Sequence, residues 1–104
     1  MAKLLNDKTA VGAGSHLFVD GAKDHTVEAR FGSTETPTAV TIDLEGSVGG
    51  GDFFLLASYV FSAGDLTAKK AMFHVVNKPV EHVRLNLTTL TGTATIQGHY
   101  TGKR

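Results

Sequence analysis

The chain has 104 residues, room for one domain of ordinary size and not for two. Hydrophobic residues make up 41% and charged residues 19%, ten basic against ten acidic, so there is apolar surface for a core and no net field to recruit nucleic acid or an anionic membrane. The absence of cysteine excludes disulfides, thiolate chemistry and sulfur-ligated zinc, and Met1-Ala2-Lys3-Leu4-Leu5-Asn6 has neither a secretory core nor the ~20 apolar residues of a membrane span, so assembly in a cytoplasm is expected.

Residues 1–14 are small and weakly patterned, which predicts an extended N-terminal arm in front of a single domain over 15–104. A lone apolar pair on a flexible end tends to find its partner elsewhere, so Leu4 and Leu5, with Val11, are expected to dock on another chain. Ser15-His16-Leu17-Phe18-Val19 reads as the first strand, closed by Asp20-Gly21, a dipeptide suited to positive φ angles. Thr26 to Phe31 alternates, with Val27, Ala29 and Phe31 inward, and Thr38 to Glu45 repeats the pattern with Val40, Ile42 and Leu44 inward.

The glycine-rich Gly46 to Asp52 predicts a turn, and Phe53 to Phe61 then forms a strand apolar on both faces. One face (Phe53, Leu55, Ala57, Tyr59, Phe61) suits a core, which leaves Phe54, Leu56 and Val60 for a second layer or a neighbouring subunit. Gly64 to Ala71 is expected as a single helical turn or a loop. Ala71 to Val76 is a further strand, ended by Asn77-Lys78-Pro79 because proline cannot donate to a ladder. Glu81 to Thr88 alternates with Val83, Leu85 and Leu87 inward, and Thr93 to Tyr100 with Ala94, Ile96, Gly98 and Tyr100 on one side. Seven to eight short strands predict an all-β fold, an antiparallel β-sandwich or jelly roll.

Chemistry-bearing residues are scattered. His16, His25, His74, His82 and His99 show no metal-ligand spacing, so structural or surface roles are expected, and no metal or cofactor. Asp43 and Glu45 share an outward strand face without the cleft an acid–base pair needs, which reads as a solvated sheet face. The glycines between Ser47 and Asp52 have no following lysine or helix, unlike a phosphate loop, and no serine sits in a nucleophile-elbow context. The expectation is a protein that is not an enzyme.

Three segments carry a resemblance: Val40-Thr41-Ile42-Asp43-Leu44-Glu45-Gly46-Ser47 followed by Phe53-Phe54, then Phe73-His74-Val75-Val76-Asn77-Lys78-Pro79-Val80, then His82-Val83-Arg84-Leu85-Asn86-Leu87-Thr88. Over residues 38–100 the pattern resembles small β-sandwich virion proteins of tailed phages, and it is similar to discoidin-like sandwich domains, in which an aromatic residue, often tryptophan, follows the Gly-Ser. Here Gly46-Ser47 is followed by Val48-Gly49-Gly50-Gly51-Asp52 and only then by Phe53, a departure from that pattern that leaves no tryptophan platform for a glycan. The first resemblance implies a capsid decoration or cement protein that is made in the host cytoplasm and resides in the virion. Its partners would be the major capsid protein or another virion protein and further copies of itself, a trimer included. A small tail, collar or fibre-associated protein is the neighbouring possibility. The second resemblance implies a module binding a glycan or surface through its loop ends.

Overall fold

Where apolar and polar side chains alternate, the computed structural model, which describes residues 2–49 and 51–104, forms strands. Eight are present: β1 (Ala2–Lys8), β2 (Gly12–Phe18), β3 (Asp24–Arg30), β4 (Ala39–Ser47), β5 (Phe54–Val60), β6 (Lys70–Val75), β7 (His82–Thr91) and β8 (Ile96–Lys103). They make two four-stranded sheets, ordered β1-β8-β3-β6 and β2-β7-β4-β5. All the pairings are antiparallel: β1 with β8, β2 with β7, β3 with β6 and β4 with β5, while β3–β8 and β4–β7 complete the sheets.

The nested pairings amount to one long hairpin, folded about its glycine-rich midpoint and rolled into two layers. Val27 faces Phe73, for instance, and Leu17 faces Val83, each partner nearly as far past the 46–52 turn as its mate lies before it. This is jelly-roll topology. The inward sets of β3, β4, β7 and β8 meet between the sheets, where Val27, Val40, Ile42, Leu44, Val83, Leu85, Leu87 and Ile96 lose all their solvent exposure. Asp20 and Gly21 both take positive φ, 49° and 80°, as a tight reversal requires.

Three expectations are corrected. Residues 2–8 are not an arm: they form β1, an edge of the first sheet, and residues 12–14 begin β2. Leu4 and Leu5 are core residues of their own chain, 4% and 0% exposed. Two adjacent leucines can both face inward because the β1–β8 register shifts between Lys3 and Leu5, which breaks the alternation. At this place β1 crosses close to β2, and a side-chain carbon on Gly14 would collide with the carbonyl oxygen of Leu4.

In β5 the register slips between Ala57 and Leu55, and Leu56 bulges out of the ladder. Beyond the bulge the faces exchange. Ala57, Tyr59 and Leu56 pack against the core, whereas Leu55, expected inward, is 60% exposed, and Phe53 moves to the outer face. The segment expected as a turn or loop holds a short helix, α1 (Ala63–Ala68), for which Ser62 and Asp65 form a reciprocal capping box.

Because β1 closes the first sheet over the interior, shortening Leu5 to alanine should remove ~3 kcal/mol of stability, measured by urea unfolding. Deletion of residues 2–8 should abolish cooperative unfolding. An unchanged denaturation midpoint in either variant would contradict the packing of β1.

Candidate functional site

The residues that alternate with the core on β2, β7 and β4 form the outer face of the second sheet, and several are held in fixed relation. Glu45 on β4 stands opposite Arg84 on β7, which stands opposite His16 on β2. Arg84 donates from Nε to Glu45 Oε1 at 2.6 Å, and Asn86 donates from Nδ2 to Glu45 Oε2 at 3.2 Å. The Glu45 side chain is only 14% exposed, so the carboxylate expected to be freely solvated is instead the anchor of a network. Beside it, Ser58 donates to Asp43 at 2.6 Å.

Aromatic rings continue the row. Phe53, turned outward by the β5 bulge, reaches across the face, with its ring 4.3 Å from the Arg84 guanidinium and edge-on to His16 at 5.6 Å. His16 lies 6.1 Å from His82, which meets Phe18 edge-on at 5.2 Å. The Phe53 ring and the Glu45 carboxylate fix the guanidinium from two sides. Arg84 spends only Nε on the protein; its terminal nitrogens, the His16 and His82 ring nitrogens and the Asn86 carbonyl oxygen have no hydrogen-bond partner among the described residues. A surface of this kind can bind. Its hydroxyl–carboxylate pair is Ser58 on Asp43, and among the described residues no three His, Asp or Glu side chains gather as a metal would require.

Of the residues expected at an interface, Leu4 and Leu5 are interior, as described above. Val11, Phe54 and Val60 are exposed, and Leu56 is half-buried against the core. Leu55 joins Phe54 and Val60 on the surface of β5. The outer-face network was not singled out from sequence, because its members lie up to dozens of positions apart. The outward places of Glu45 and Arg84 in their strands were visible, but not that these two strands are neighbours.

Other polar clusters secure the fold. His25, 2% exposed, has Nε2 2.9 Å from the Lys78 carbonyl, which can only accept. In the neutral ring Nε2 therefore carries the proton, and Nδ1 accepts from the Tyr100 hydroxyl at 2.5 Å. Burial pushes the Tyr100 phenol up to about 12. Tyr59 donates to Asp65 at 2.7 Å, and this bond raises the phenol while it lowers the carboxyl. Glu35 accepts from the backbone of Thr95 and Gly32, which lowers its pKa and ties two loops together.

No family profile and no curated protein sequence matches the chain. Solved structures share its fold. The SPBc2 prophage-derived protein YomS superposes with a TM-score of 0.66 at 13% identity, over 98% of this chain and 90% of that one. A CBM4 structure gives 0.53 at 13% identity, over 94% and 66%. The C-terminal domain of a chitobiase from Bacteroides fragilis gives 0.51 at 12% identity, over 80% and 58%. At these identities the likeness is one of architecture.

The two tyrosines give a pH signature. Both phenols lie above their ordinary 10.0 in the folded chain, Tyr100 up to about 12, so above 10.0 the native state holds protons that the unfolded state has released, for Tyr100 until about 12. Stability should be unaffected by these groups below pH 10 and fall as the pH rises through that window. Ultraviolet difference absorbance should show neither phenol ionising at its ordinary value until unfolding begins; a tyrosine titrating there in the native protein would contradict the assignment.

Proposed function

We propose that this chain is a non-catalytic structural protein of a phage particle that decorates and reinforces the head shell, and that it associates with itself through the free edge of β5. The setting is supported by the resemblance of residues 38–100 to tailed-phage virion proteins and by the whole-chain likeness of fold to a prophage-derived protein. The observation that carries the reading is the β5 edge itself.

Edge strands offer unpaired backbone groups to any other strand, and proteins commonly blunt them with charge or irregularity. β1, β2 and β6 follow that rule, and β5 follows it only in part, through its single bulge at Leu56. β1 has Lys3, Asp7 and Lys8 and two register shifts; β2 has Gly12, Gly14 and one shift; β6 has Lys70. In β5 and its flanks, Phe53 to Ser62, no residue is charged, and Phe54, Leu55 and Val60 are 69%, 60% and 67% exposed. An antiparallel edge is its own complement, so two copies pair about a twofold axis. With many copies on a shell, modest contacts to the major capsid protein or to other virion proteins add up through multivalency.

Light scattering during gel filtration should show a concentration-dependent dimer for the wild-type chain. Leu55→Lys with Val60→Lys should be monomeric with an unchanged melting temperature, and should fail to occupy phage heads in a co-sedimentation assay. A wild-type chain that stays monomeric at high concentration, or a double variant that occupies shells fully, would refute the reading.

A further inference from the structure

The outer face of the β2-β7-β4-β5 sheet has a composition that neither core packing nor the β5 edge explains. We infer that it binds a neutral oligosaccharide, laid across His16, Phe18, Phe53, His82, Arg84 and Asn86. The inference does not rest on the phage assignment: it concerns side chains centred on β2 and β7 and a different class of ligand, and Leu55 and Val60 of β5, opposite Glu45 and Thr41, border the same face.

The ligand's chemistry follows from what the face offers and lacks. Phe18 is 59% exposed and has only the edge of His82 against it, so a ring face is free for apolar C–H groups. Around it lie donors without partners, the Arg84 terminal nitrogens, an acceptor in Asn86 Oδ1, and the His16 and His82 imidazoles, each of which in its neutral form has one donor and one acceptor nitrogen. A matching molecule needs apolar faces and groups that donate and accept alternately. A pyranose ring, with axial C–H bonds on one side and hydroxyls at its rim, has both.

Charge selects against the alternatives. The Glu45 carboxylate, fixed 2.6 Å from Arg84 Nε, cancels the one permanent cation of the face and would repel a phosphate, sulfate or uronate. The chain's net charge of zero removes long-range attraction for a polynucleotide. A peptide that adds as a strand pairs with the backbone of an edge, β2 or β5, and does not lie across the side chains of β7 and β4, and the exposed apolar group Phe54, Leu55 and Val60 that a protein partner would bury lies at the β5 border, across the sheet from Phe18 on β2. Phenylalanine and histidine stand where a tryptophan platform is missing, so each sugar contact is small and affinity depends on several subsites in a row.

The test is a nitrogen–proton correlation titration of the full-length protein with cellohexaose, mannohexaose and N-acetylchitohexaose, alongside oligogalacturonate and sulfated dextran. At least one neutral sugar should bind saturably, with the shifts centred on His16, His82, Arg84 and Asn86. Phe18→Ala should weaken that binding about tenfold without lowering the melting temperature. The inference fails if no neutral sugar binds, if only the anionic chains bind, if the shifts fall on the loops at the ends of the sandwich, or if Phe18→Ala binds like the wild type. Phe18 lies on β2, the border of the sheet opposite β5, so Phe18→Ala should keep the wild-type dimer and its occupancy of phage heads, and failure of one reading leaves the other standing.

Discussion

The pairing of the two halves of the chain across the glycine-rich turn determines everything else in the molecule. Once Gly46 and Phe54 begin the ladder, each further strand on one side has its mate on the other, out to β1 and β8 at the termini. Closing such a hairpin is entropically costly because its outer contacts join residues almost a chain length apart, and these contacts are stabilising only when the inner ones are already formed. The terminal strand therefore has to carry real packing. Leu4 and Leu5, fully enclosed, supply it. The same pairing brings His16 from the first half against Arg84 from the second, so the outer face exists only in the completed roll.

What could be read from sequence follows from which signals are local. Strict alternation located β3, β4, β7 and β8 and their inward residues, because a strand with one buried face writes a period of two into its own residues. β1 escaped because a bulge turns Leu4 and Leu5 the same way, and a doublet of leucines among polar residues looks like an arm. β5 was recognised as a strand, but its faces were assigned as if the ladder were regular; a stretch apolar at nearly every position cannot reveal the bulge at Leu56 that exchanges them. The helix left a fainter trace, Ser62 followed three residues later by Asp65, a short relative of the usual capping-box pair. The outer-face network left none, because Glu45 and Arg84 become neighbours only through the β4–β7 register.

The outer face also contrasts with what solubility alone demands. A sheet face turned to water needs only scattered threonines and charges, and an exposed ion pair between long side chains contributes about 0–1 kcal/mol after the entropy of ordering them. Thr41 and Thr89, facing each other further along β4 and β7, represent that undemanding solution. Arg84 differs. It is held by a carboxylate on one side and a ring on the other, and that carboxylate is held in turn by Asn86. Side chains immobilised before any ligand arrives lose less freedom on binding, which is the physical use of such an arrangement.

The two proposed surfaces also reinforce each other geometrically. β5 ends the same sheet whose outer face carries Arg84, Glu45 and the aromatic row. Antiparallel pairing of two β5 edges places the twofold axis perpendicular to the sheet, so the outer faces of both copies point the same way, forming one eight-stranded surface. A ligand long enough to span it would meet its second site at an effective concentration set by the rigid spacing between the copies, not by the bulk. Weak individual sugar contacts, the consequence of phenylalanine and histidine in place of tryptophan, are then compatible with firm attachment of an array, whereas the same face on a monomer would release its ligand readily.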